Sequence, residues 1–193
     1  MCIRDRLYSV GNAENEFPLD PAITYGKLEN GFTYYIRENQ TPKDKVSIKL
    51  IIKAGSIMEE ENQLGLAHLL EHMAFNGSKN FPKRKIDEYM SSIGLNIGSH
   101  YNASVGFLKT NYVYEIPTNN DEDVEVALKI LTDISKNLSL EPEAFERERK
   151  IVEEEWRTDI GGSKNYINEF HKVMFKNSRF NERKPIGLSL IHI

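Results

Sequence analysis

The stretch GLAHLLEHMAFNG, residues 65–77, breaks the pattern of what precedes it. Upstream, Val46, Ile48, Leu50 and Ile52 recur at every second position, the period of a strand with one buried face that ends at Gly55. From Gly65 onward Leu66, Leu69, Leu70, Met73 and Ala74 recur at three- and four-residue steps, the pattern of a largely buried helix, and Gly77 ends it. His68 and His72 are four residues apart on that helix, so both imidazoles leave one face about one turn apart, within reach of one cation. Glu71 lies beside them. Zinc accepts neutral imidazole nitrogen and carboxylate oxygen, and a catalytic site holds it by three protein ligands with one position left for water. A carboxylate beside that water can take its proton. His68 and His72 are therefore candidate metal ligands and Glu71 a candidate general base. The ordinary alternative is an amphipathic helix with one His on a carbonyl and the other solvated. Against it, the helix is apolar over most of its surface, and a Glu buried beside two His with no cation is costly.

Working outward, Ile23 to Lys27 and Phe32 to Ile36 are strand-like runs, and Asn30-Gly31 between them is a hairpin signal. After the His-bearing helix a second helix is expected over Lys83 to Ser92, and strand-like composition returns over Asn96 to Phe107 and Thr110 to Ile116. Pro117 and Asn119-Asn120-Asp121 mark a turn and an N-cap. Long helices should follow over Glu122 to Asn137 and Pro142 to about Asp159, with Gly161-Gly162 separating the latter from a helix at Lys164 to Phe175. Strands, helices, strands, helices in that order predict an α+β fold, with helices packed on an antiparallel or mixed sheet. Phe75, Trp156, Met58 and Met73 read as packing residues.

The sequence of 193 residues is 39% hydrophobic and 28% charged with a net charge of -4, the composition of an ordinary globular protein. It has no Lys/Arg run, which argues against a nucleic-acid partner, and no apolar stretch of membrane-spanning length. One short duplex explains both ends. The codons ATG TGT ATA AGA GAC AG encode the start, MCIRD, and their reverse complement encodes the end, LSLIHI. Residues 1–6 and 188–193 are thus expected to be read-through of a library adapter, 7–20 an arm, and 21–187 a domain truncated at its C-terminal end. Cys2 falls in the read-through, so no cysteine nucleophile or disulfide framework is expected.

A third ligand must come from a later element. The segment Pro142 to Asp159 carries Glu146, Glu148, Glu153, Glu154 and Glu155, and Glu148 and Glu155, seven apart, share a face with Val152. Taken alone, the acidic run reads as a solvated face paired with Arg147, Arg149 and Lys150.

Here the residues resemble a family, the pitrilysin/insulinase-type inverzincins, in which His-x-x-Glu-His inverts the commoner zincin order. The likeness extends through GKLENGFTYYIREN (26–39), AGSIMEEENQLGLAHLLEHMAFNGSKNFP (54–82), ERERKIVEEEWR (146–157) and RKPIG (183–187), in the manner of large bacterial, often periplasmic, members. The resemblance implies one zinc ion with Glu155 as third ligand beside His68 and His72, Glu148 in support and Glu71 as base. Glu153 and Glu154 are the neighbouring alternatives. It further implies that the run at 100–106 is an edge strand pairing with substrate backbone, with Asn102 and Ala103 nearest the scissile bond; His100 reads as a hydrogen-bonding residue rather than a ligand. The interval from His72 to Glu155 is longer than the usual family spacing, which places a loop insertion between Gly77 and Asn120. The expected protein is a periplasmic or secreted zinc endopeptidase acting on peptides or small unfolded proteins. A homologous C-terminal half, absent here, would complete it. A non-catalytic homologue serving as a peptide-binding or structural subunit is the alternative.

Overall fold

The computed structural model describes residues 18–159 and 163–186 and divides the chain into two units at Lys43. The first contains one antiparallel hairpin, β1 (Ile23–Lys27) and β2 (Thr33–Arg37), in register from Ile23 opposite Arg37 to Lys27 opposite Thr33. Its turn is the one the sequence predicts. Gly31 takes a φ of 87°, open to glycine at little steric cost, and the Asn30 side chain accepts from the Phe32 amide at 3.0 Å.

The second unit is built on a three-stranded antiparallel sheet in the order β3 (Lys45–Ile52), β5 (Thr110–Pro117), β4 (Tyr101–Val105). Helices α1 (Leu66–Asn76), α2 (Lys85–Ser92) and α3 (Asp121–Lys136) pack with it, followed by α4 (Pro142–Asp159), α5 (Ser163–Met174) and the short α6 (Arg179–Glu182). The α+β architecture with an antiparallel sheet is thus as the pattern of apolar residues implies. Among the described residues no helix is long and apolar enough to cross a membrane.

The core forms where the sheet meets the helices. Tyr112, Tyr114 and Ile116 of the central strand are buried with Ala74, Ile86, Met90, Ala127, Ile130 and Ile134. A second, smaller cluster, Leu69, Met73 and Val152 with Ala144 and Phe145 against it, joins α1 to α4. Asn120 caps α3 as expected, accepting from the Glu122 amide at 3.2 Å.

Three expectations need correction. Lys83 lies in the left-handed region, at a φ of 54°, so helix α2 begins at Lys85. Of the strand-like run Asn96 to Phe107 only Tyr101–Val105 is strand, because Gly98 at a φ of 86° folds the preceding residues into a turn. Met58 is exposed, in a short 3-10 turn, not in a core. The expected breaks at Gly161-Gly162 and the read-through ends lie outside the described residues.

The chain leaving α1 is tied down by Asp133, a buried carboxylate on α3. It accepts from the Ser78 hydroxyl at 2.7 Å, from the Asn80 amide and side chain at 2.8 Å, and from Asn137 at 2.9 Å. Burial by itself would raise its pKa, but the bonds from Asn137, Ser78 and Asn80 outweigh it and hold the carboxyl below its ordinary value. Asp133→Ala strands those donors and is expected to cost about 3 kcal/mol in urea unfolding at neutral pH. A depressed carboxylate stabilises the fold above its unfolded pKa. The gap between wild type and variant should therefore close as pH falls below about 4.

Candidate metal and catalytic site

Helix α1 buries different faces against different neighbours, and its polar residues emerge where α4 crosses it. Leu69 and Met73 point into the cluster with Val152, while Ala74 belongs to the sheet core. His68, Glu71 and His72 occupy the strip between. On α4, Val152 lies one turn after Glu148 and just under one turn before Glu155, so all three share a face. Docking that face on α1 carries the two carboxylates to the imidazoles. The separation of 83 positions between His72 and Glu155 is closed by apolar packing.

The geometry that results is compact. His68 Nε2 and His72 Nε2 stand 3.5 and 3.6 Å from the same oxygen, Glu155 Oε2, and one ligand atom from each residue lies within 4.8 Å of the others. On the far side of its ring, His72 Nδ1 is 3.3 Å from Glu148 Oε2. A Glu71 oxygen is 3.9 Å from His68 Nε2. The rest of the acidic run points elsewhere: Glu153 and Glu154 both pair with Arg157, and Glu146 with Arg149. Of the carboxylates left open by the sequence, only Glu148 and Glu155 reach an imidazole among the described residues.

Burial sets the protonation states. It lowers the His68 pKa to about 4, with neighbouring His72 adding to the effect, so the ring is neutral at physiological pH and offers a lone pair. Burial raises the Glu71 pKa; His72 opposes the shift and Glu155 reinforces it. Glu71 is thereby a stronger base than a solvated carboxylate. Two imidazole nitrogens and one carboxylate oxygen, converging at distances too long for optimal hydrogen bonds, fit a zinc ion by donor type and number. The carboxylate of Glu148 on His72 Nδ1 is the kind of partner that fixes the tautomer of a ligating ring. His68 Nδ1 is buried without a hydrogen-bond partner among the described residues.

Beside these groups opens a cavity of about 430 Å³ whose lining includes Glu71, His72, Phe75, Asn102, Glu148 and Ile151. It brings the β4 residue Asn102 to the same space as the helix site. Ala103 instead packs partly on the core. His100 Nδ1 accepts from the Asn96 amide at 3.1 Å, a local turn contact away from the imidazole pair. Sequence reasoning missed two buried carboxylates beside the two ends of α1, Asp133 and Glu59; Asp133 lies in no motif, and Glu59 lies in the family-like stretch 54–82 but carries no signal that separates it from Glu60 and Glu61.

An α+β domain presenting His-x-x-Glu-His on one helix and a reaching Glu on another is the architecture of an inverzincin-type peptidase. The family described as insulinase (peptidase family M16) matches residues 34–182, and the chain belongs to that family. It is 37% identical over 173 residues to the probable zinc protease PqqL of Haemophilus influenzae, covering 90% of this chain and 19% of that protein. It is also similar to the crystal structure of the periplasmic protease PqqL from Escherichia coli, with a TM-score of 0.87 and 33% identity over 91% of this chain and 20% of that one. Against the solved first half of that protease the TM-score is 0.86, with 34% identity, covering 89% of this chain and 37% of the half. The chain thus spans about a fifth of the length of these relatives.

The low pKa of His68 has a measurable consequence in chelator-treated protein. Between pH 6.5 and about 4 the unfolded chain takes up a proton at this ring that the folded chain refuses, so folding stability should fall by roughly 3 kcal/mol over that interval. Denaturant unfolding at several pH values would record the slope. His68→Gln should flatten it.

Proposed function

We propose that this protein is a zinc-dependent endopeptidase, its metal held by His68 Nε2, His72 Nε2 and Glu155, with Glu71 as general base. The observation that carries this reading is the convergence of the three donor atoms within 4.8 Å, with a buried, basic carboxylate next to them. A zinc ion there supplies Lewis acidity, making water acidic near neutral pH and polarising the scissile carbonyl. Glu71 takes the proton of the attacking water and returns it to the leaving amine nitrogen. Glu148 holds His72 in orientation through Nδ1.

Substrate binding is assigned to the outer edge of β4, an edge with no further strand paired to it among the described residues. Gly106 donates inward to Lys109 and His100 accepts inward from Glu115, so by alternation Ala103 turns its amide to the open edge. The Asn102 side chain accepts from that amide at 2.9 Å. An extended peptide adding to the sheet displaces Asn102 with its own carbonyl, and main-chain pairing of this kind accepts many side chains. The remaining length of the protein, including a homologous second half, would close over the peptide and exclude water. Its location is assigned to the periplasm on the likeness to PqqL.

The test is metal content by mass spectrometry with peptide hydrolysis assayed alongside, in the full-length protein. Wild type should carry near-stoichiometric zinc, and Glu155→Gln or His72→Ala should lose it. Glu71→Gln should keep the metal while hydrolysis falls about a thousandfold, within the range of general-base removal. Glu148→Gln should weaken zinc binding by roughly 10–100-fold. Well-folded wild type without zinc would sink the proposal and favour a non-catalytic, peptide-binding homologue.

A further inference from the structure

Helix α1 starts without a cap of its own. Its N-cap residue is Gly65, at a φ of 93°, which has no side chain to accept from the first-turn amides. That task falls to a residue six positions upstream. One carboxylate oxygen of Glu59 accepts from the Gly65 amide at 2.9 Å and the other from the Ala67 amide at 2.8 Å. Glu59 is only 5% exposed, so its charge faces the positive end of the helix with little water to screen it.

Glu59 is itself fixed from the far end of the described chain. Its backbone carbonyl accepts from Arg183 Nε and from Arg179 Nη2, both at 2.7 Å. Arg183, 3% exposed, also reaches the Glu61 carboxylate at 2.6 Å, and its carbonyl accepts from the Ser56 hydroxyl at 2.6 Å. The segment bearing Glu59 is thus clamped before it holds the helix. Ala67, the last residue it grips, is followed directly by His68.

We infer that Glu59 is a positioning residue for the metal site: it fixes the first turn of α1, and with it the direction of the His68 ring relative to Glu155. The inference rests on the metal reading above and adds a residue that touches neither metal nor substrate. Removing the carboxylate frees the buried Gly65 amide and the half-buried Ala67 amide at the start of a helix whose later turns stay packed by Leu69 and Met73. The expected result is a folded protein with a displaced His68.

The experiment uses full-length protein loaded with cobalt(II) in place of zinc, comparing wild type, Glu59→Gln, Glu59→Ala and, as the ligand-loss control, His68→Ala. Glu59→Gln keeps the size of the side chain and one acceptor, so it carries the test if the Ala variant does not fold. Affinity is read by competition with a chromophoric chelator and ligand geometry by the visible cobalt absorption, far below the unfolding temperature of each variant. A positioning role predicts affinity weakened about tenfold or more, in the range seen for groups that orient ligands, together with altered cobalt bands. A purely structural role would lower the melting temperature and leave both readings as in wild type, which would overturn the inference while the metal reading stood. Wild type that took up no cobalt would overturn both.

Discussion

Leu69 and Met73 leave α1 on the side that meets α4, and both are fully buried against Val152. The site depends on this contact. Successive helical residues are rotated by about 100°, so the apolar pair dictates where His68 and His72 emerge, and Val152 does the same for Glu148 and Glu155. Truncating Leu69 or Met73 would cost about 3 kcal/mol as a cavity, but the greater loss would be of register between two helices whose apolar contact is this one cluster. The chemistry is aligned by residues that take no part in it.

The same burial that forms this contact tunes the groups at its margin, in opposite and complementary directions. Removing water disfavours charge, so it lowers the pKa of His68 and raises that of Glu71. A neutral imidazole is a metal ligand, and a carboxylate with a raised pKa is a better base. One physical cause therefore acts on both the candidate ligand and the candidate base, which stand 3.9 Å apart. Glu155, with 46% of its side chain exposed, is the most open of the three groups that converge there.

Most of this was legible in the sequence where a regular period carried it. The change from alternation to three- and four-residue steps located α1, and the four-residue spacing placed both imidazoles on one face. Asn30-Gly31 and Asn119-Asn120 gave turn and cap because their side chains act on amides two residues away. Composition could not choose among Glu146, Glu148, Glu153, Glu154 and Glu155, since each sits in a helix rich in arginine. The choice depends on which face docks, a tertiary fact; likeness to a family pointed to Glu155 before the packing placed it beside the imidazoles. Glu59 and Asp133 were invisible for a related reason. Each acts beyond its own helix or turn, Asp133 on Ser78 and Asn80 and Glu59 on the start of α1, and nothing local distinguishes them from solvated acids. The strand at 96–107 was overextended because β-type composition does not record a glycine taking a positive φ at Gly98.

The arrangement divides rigidity unevenly between the two helices. Helix α1 is held at its start by Glu59 and just beyond its end by Asp133, with the core along its length. Helix α4 meets it through a small apolar cluster, the hydrogen bond from Arg147 to Asn76 and the approach of Glu148 to His72, and Glu155 lies in its last turns. Imidazole rings are short and stiff, so their placement must come from the backbone that carries them. A glutamate has three rotatable side-chain bonds and can correct a backbone error of about an ångström at modest entropic expense. On the proposed donor set, the stiff imidazoles sit on the helix held at both ends and the flexible carboxylate on the other, so the three donors can close on one point without both helices being equally rigid.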